Sequence, residues 1–127
     1  MVEKINWTLN VQVVDGPKVP DADTFEVEAY DMIEVEIPDK DTSGGKAIVD
    51  VQPSDTGVRF LLMTAGDYSN LTYEVDSGSA NTLDAPLLLM GEGAVKLLGA
   101  TQKQFEFTNK GTKAVTVKIL VGRDAVV

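Results

Sequence analysis

Apolar and polar residues take turns along most of this chain. Ile5, Trp7, Leu9, Val11 and Val13 are separated by Asn6, Thr8, Asn10 and Gln12. A period of two puts the first set on one face of an extended segment, which predicts a half-buried strand with Trp7 toward the core. Gly16, Pro17 and Pro20 predict its end, since none of them suits a central ladder. The pattern returns in 24–30, with Phe25, Val27 and Ala29 against Glu26 and Glu28, and in 32–37, with Ile33, Val35 and Ile37 against Glu34 and Glu36. Pro38 stops that strand. Further strands are predicted at 46–52 and 57–64, around a turn from Ser54 to Gly57, and at 70–75, where Leu71, Tyr73 and Val75 alternate. Residues 76–82 read as loop. Strands at 103–109 and 114–121 finish the chain, the latter with Val115, Val117, Ile119 and Val121 as an inward row. The Gly-containing loop Asn109 to Lys113 predicts a hairpin between them.

Two segments are apolar on both rows. In 58–63, Val58, Phe60 and Leu62 alternate with Arg59, Leu61 and Met63; in 87–98, leucines fall on both sides of Gly91 and Gly93. Asp84 and Pro86 suit a helix start, but the two glycines would interrupt it within two turns. Gly91-Glu92-Gly93 is the better match to a hairpin turn, so a hairpin is predicted there. A second apolar row needs a cover, because each Leu left in water forgoes about 1.5–3 kcal/mol relative to burial. Counting Val58, Phe60 and Leu62 as the inner row makes Leu61, Met63, Leu87, Leu89 and Leu98 the outer one. These five are the predicted interface with another copy of the chain.

No long segment shows a 3.6-residue period. Eight or nine short strands at even intervals predict an all-β fold, an antiparallel sandwich of jelly-roll type with little or no helix. The 127 residues suit one domain, 1–127. No apolar run approaches the roughly 18 residues of a membrane span. The first ten residues carry no signal-peptide pattern, and the chain has no Cys, so the expected setting is cytoplasmic or within an assembled particle.

Charge refines this picture. Twenty acids against eleven basic residues give a net charge of −9, which argues against nucleic-acid binding. Residues 1–92 hold 18 acids and 5 bases, whereas 93–127 hold 2 acids and 6 bases. The basic end can balance acidic strands within one molecule or dock on a neighbouring copy.

Candidate chemistry is sparse. Without His or Cys there is no ordinary base for a Ser and no thiol nucleophile. The strand glutamates read as solvated faces. Asp39, Asp41, Ser43, Gly44 and Asp50 fall at positions one, three, five, six and twelve of a stretch that resembles an EF-hand calcium loop. That resemblance implies calcium held by Asp39, Asp41, Ser43 and Asp50. It departs from the pattern at the twelfth residue, Asp in place of Glu, and at Lys46, and the same residues suit a solvated turn. Tyr30 and Tyr68, both read as loop residues, offer a small platform for carbohydrate. The sequence therefore points first to a non-enzymatic, homo-oligomerising sandwich subunit of the kind that builds particles or shells. The alternative is a carbohydrate or small-ligand binding module.

Overall fold

The alternating segments become ten strands in a computed structural model of the chain, which describes residues 3–51, 57–99 and 104–124. They are β1 (Glu3–Gln12), β2 (Lys18–Val27), β3 (Ala29–Ile37), β4 (Lys46–Asp50), β5 (Val58–Ala65), β6 (Leu71–Val75), β7 (Asn81–Thr82), β8 (Leu87–Met90), β9 (Gln104–Asn109) and β10 (Val115–Arg123). The helical part is small: a 3-10 turn at Ser43–Gly45, one turn of α-helix, α1 (Glu92–Val95), and a second 3-10 turn at Lys96–Leu98. Of the predicted turn at 54–57, only Gly57 is among the described residues. No helix among the described residues is long and apolar enough to cross a membrane.

Strands β3 to β10 form two four-stranded antiparallel sheets, ordered β3-β10-β5-β8 and β4-β9-β6-β7. Pairings β3 with β10, β4 with β9, β5 with β8 and β6 with β7 nest one inside the next. A long hairpin folded on itself and rolled into two facing sheets has this order, which is that of a jelly roll. The predicted all-β sandwich is therefore present. Strands β9 and β10 lie in opposite sheets, so Asn109 to Lys113 is a corner between layers and not the predicted hairpin.

Both sheets turn their apolar rows inward onto one core. The second sheet supplies flat rings: Tyr73 stacks on Phe105 at 6.2 Å, and Phe105 on Phe107 at 6.3 Å. The first sheet meets them with aliphatic side chains, and Leu61, Met63, Val117, Ile119 and Val121 are all fully buried. Glu26, Glu34 and Glu36 point outward, as predicted, and face cations or neutral residues. Glu34 lies opposite Lys118, Glu36 opposite Thr116, and Glu26 opposite Lys4. Acidic β3 thus lies against basic β10, and Arg123 Nε donates to Asp31 Oδ2 at 3.1 Å. Part of the charge asymmetry between the two parts of the sequence is met within the molecule in this way.

Three expectations change. Strand β2 begins at Lys18 and includes Pro20, opposite Asn10, because β1 and β2 form a separate two-stranded ribbon in which both strands are edges. Trp7 is half-buried on that ribbon and is not part of the sandwich core. The segment from Leu87 is no hairpin: β8 pairs with β5, and the chain then coils into α1. Gly91, at φ +96°, turns the strand into the helix, whose Val95 plugs the core. Glu92 and Lys96 close that turn with an ion pair of 2.8 Å.

The corner opposite the ribbon is stitched by Asn109, the one buried polar side chain among the described residues. Its Nδ2 donates to the carbonyls of Pro38 (3.2 Å) and Lys113 (2.7 Å), and its Oδ1 accepts from the Gly111 amide at 2.8 Å. Gly45 slides beneath it at φ +71°, where a Cβ would overlap the Asn109 carbonyl oxygen. Replacing Gly45 by Ala combines a left-handed backbone with that overlap. The expected loss of stability is about 2 kcal/mol or more, read as a lower urea midpoint at unchanged slope.

Candidate interaction surface

The outer faces of the two sheets differ in kind. On the second sheet, Ile48, Glu106 and Glu74 lie abreast, and the next row is Lys46, Thr108, Thr72 and Thr82. Two glutamates opposite each other are unfavourable, and Lys46, 3.9 Å from Glu106, relieves the repulsion. Such a face suits water. On the first sheet, Met32, Leu120, Leu62 and Leu88 stand in register across all four strands. Met32 is 63% exposed and Leu88 39%, while Leu62 and Leu120 are half-buried. The adjoining row is Tyr30, Gly122, Phe60 and Met90.

That second row is where the β1–β2 ribbon is seated. Gly122 has no side chain, and the site its Cβ would fill lies 2.8 Å from Val27 Cγ1, 3.1 Å from Phe60 Cβ and 3.3 Å from Ile5 Cδ1. Phe25 packs on Phe60 with ring centroids 5.8 Å apart, and the Arg59 guanidinium lies 5.9 Å from the Phe25 ring centre. The Glu28 amide donates to the Arg123 carbonyl at 3.1 Å, marking the bend from ribbon to sandwich. Among the described residues, nothing supports the ribbon beyond this seat. Every residue from Asn10 to Thr24 is exposed, including Val11 (53%), Val13 (60%), Val14 (88%) and Val19 (59%). It is an arm.

The five predicted interface residues lie elsewhere. Leu61 and Met63 are fully buried, and Leu87, Leu89 and Leu98 pack against the same core. The outward residues are their neighbours Leu62, Leu88 and Met90. The cause is a bulge: Gly122 pairs with Phe60 but Arg123 pairs with Val58, so Arg59 is an extra residue on β5. Val58 and Leu61 therefore both face inward, and counting by two from Val58 gives the wrong side. Phe60, although buried, belongs to the outer face and is covered by the arm.

The predicted calcium ligands do not converge. Asp39 Oδ1 accepts from the Thr42 hydroxyl at 2.7 Å and Oδ2 from the Asp41 amide at 3.2 Å, which makes a closed turn. Asp50 is at the other end of β4, roughly 13 Å along the strand, and accepts from Gln104 Nε2 at 3.2 Å. No group of three or more carboxylates among the described residues is placed to hold a metal ion. Tyr30 and Tyr68 are also apart. Tyr30 lies on β3 and is 53% exposed. The Tyr68 hydroxyl accepts from the Ala65 amide at 3.0 Å, roughly 17 Å away along the sheet. A small polar cleft lined by Asp67, Asn70, Asn109, Thr112 and Lys113 lies at the Tyr68 end.

No protein-family model matches the chain, and no curated protein shows detectable sequence similarity to it.

Two outcomes test this description. Gly122→Leu should evict Val27 and Phe25 from their seat, exposing Phe60, and limited proteolysis should then cut within 20–28 faster than in the parent. The Thr42 hydroxyl holds the Asp39 carboxyl below the ordinary aspartate value. Its contribution to stability is present above the unfolded value and is lost as pH falls through the folded one. In Thr42→Val the Asp39 titration, followed by NMR, should move upward toward the ordinary value.

Proposed function

We propose that this chain is a non-enzymatic structural subunit that associates with copies of itself, as jelly-roll subunits of shells and larger particles do. The observation that carries the reading is the apolar row Met32, Leu120, Leu62 and Leu88, which crosses one outer face from edge to edge. Monomers rarely leave a continuous apolar patch in water, and the opposite face of this sandwich shows how the same fold looks when it is solvated. Self-association is the commonest way such faces are covered, and a closed symmetric assembly needs only one chain.

A fold shared by capsid and lectin domains does not decide function by itself. A sugar-binding module sets flat rings side by side, and Tyr30 and Tyr68 lie at opposite ends of the sandwich. A hydrolase needs an activated group, and the chain offers neither His nor Cys. The working environment in this reading is the cytoplasm or the assembled particle, in keeping with a Cys-free sequence.

Light scattering on a sizing column tests the reading at about 100 μM, where contacts of micromolar affinity are occupied. The expected result is a mass that is a whole multiple of the chain mass and falls on dilution. A strict monomer across the range overturns it.

A further inference from the structure

We propose that the β1–β2 arm of one copy lies across the outer face of the first sheet of a second copy, with its apolar edge on the Met32–Leu120–Leu62–Leu88 row and Asp21 and Asp23 turned toward Lys118. This rests on the reading of the chain as a self-associating subunit, and adds which surface meets which.

The arm has the right chemistry on one face only. Cross-strand partners share a face, so Ile5 with Phe25, Trp7 with Asp23, Leu9 with Asp21 and Val11 with Val19 point the same way. This is the face that its own base presses onto Phe60. The opposite face, with Asn6 against Thr24, Thr8 against Ala22 and Asn10 against Pro20, carries no charge over that stretch and suits water. An apolar face that begins on its own sheet and runs out into solvent lacks a floor. A two-stranded ribbon alone is marginal in water, so the distal arm gains most from a second sheet beneath it.

The sheet face supplies such a floor. Its apolar row adjoins the row already covered by the arm's own base, so the second contact continues a packing mode this chain already uses. Lengths agree as well. Four strands span roughly 14 Å from first to last, and the edge beyond the seat, from Trp7 to Val11, runs roughly 13 Å. Charges agree too. Asp21 and Asp23 each accept only from the amide of the next residue, Ala22 and Thr24, and Lys118 forms no ion pair among the described residues. Lys118 lies two residues from Leu120 on β10, in the row flanking the apolar one. An arm resting on Leu120 therefore brings carboxylates beside a cation whose cross-strand neighbour, Glu34, is not in ion-pair contact with it among the described residues. The two surfaces are different patches, so the contact is head-to-tail and makes a ring or a chain unless two arms exchange.

Charge reversal with rescue tests the contact, read as the association constant by sedimentation equilibrium. D21K/D23K and K118E should each weaken association by about tenfold. Combining them should recover most of it, because the pairing is restored with opposite sign. Leu88→Asp, which removes a distant part of the same row, should weaken association without rescue by either. Glu34 sits across from Lys118, so folding of K118E is checked by circular dichroism. Should it unfold, Lys118→Gln replaces it, and the expected result is no further loss when combined with D21N/D23N. Losses that simply add overturn the arm contact and leave self-association standing, through another surface. A parent protein that is monomeric throughout overturns both.

Discussion

Strand β10 is the constraint on which the rest of the structure depends. It is the only strand that pairs with both β3 and β5, and all four residues of its inward row, Val115, Val117, Ile119 and Val121, are buried. At about 1.5–3 kcal/mol for each such side chain, this row alone weighs against a whole-domain stability of roughly 5–15 kcal/mol. The end of the same strand does different work. Gly122 leaves room for the arm, Arg123 reaches Asp31, and the Arg123 carbonyl takes the amide of Glu28 at the bend. Core, charge balance and arm position are set within nine residues.

The asymmetry of the outer faces follows from sequence choices that leave the fold itself untouched. Both sheets are built from alternating strands, and both bury one row. The second spends its other row mainly on Lys, Thr and Glu, whereas the first does so only toward the Glu34 and Lys118 end. The first places Met, Leu, Leu and Leu where strands meet side by side, so that residues far apart in the chain become neighbours. Met32 and Leu88 are separated by 56 positions in sequence yet belong to one stripe. Register converts four ordinary residues into a surface.

That conversion also explains what could be read from the chain before its structure. Alternation located nearly every strand, because a half-buried strand writes its period directly into the sequence; Ile33 to Ile37 and Val115 to Val121 are the clearest cases. Inward and outward were legible only where one row was polar. In β5 both rows are apolar, and the extra residue Arg59 shifts the count, so alternation puts Leu61 and Met63 on the surface although they fill the core. The helical turn after Gly91 was hidden because four residues are too few to establish a period. The ribbon was obscured by Pro20, which breaks a central strand but is harmless at an edge. Gly122 gave no signal, since the space it leaves is defined by Val27 and Ile5, distant in sequence.

The position of β10 late in the chain has a kinetic side. Until residues 115–123 have been synthesised, β3 and β5 have no common partner, and the seat for the arm does not exist. Partners so distant in sequence make folding slow compared with helical proteins, and during synthesis the earlier strands wait with open edges. An arm seated against β10 takes its direction only once that strand has paired. The fold thereby carries its own order of events: the sandwich closes first, and the arm takes its direction second.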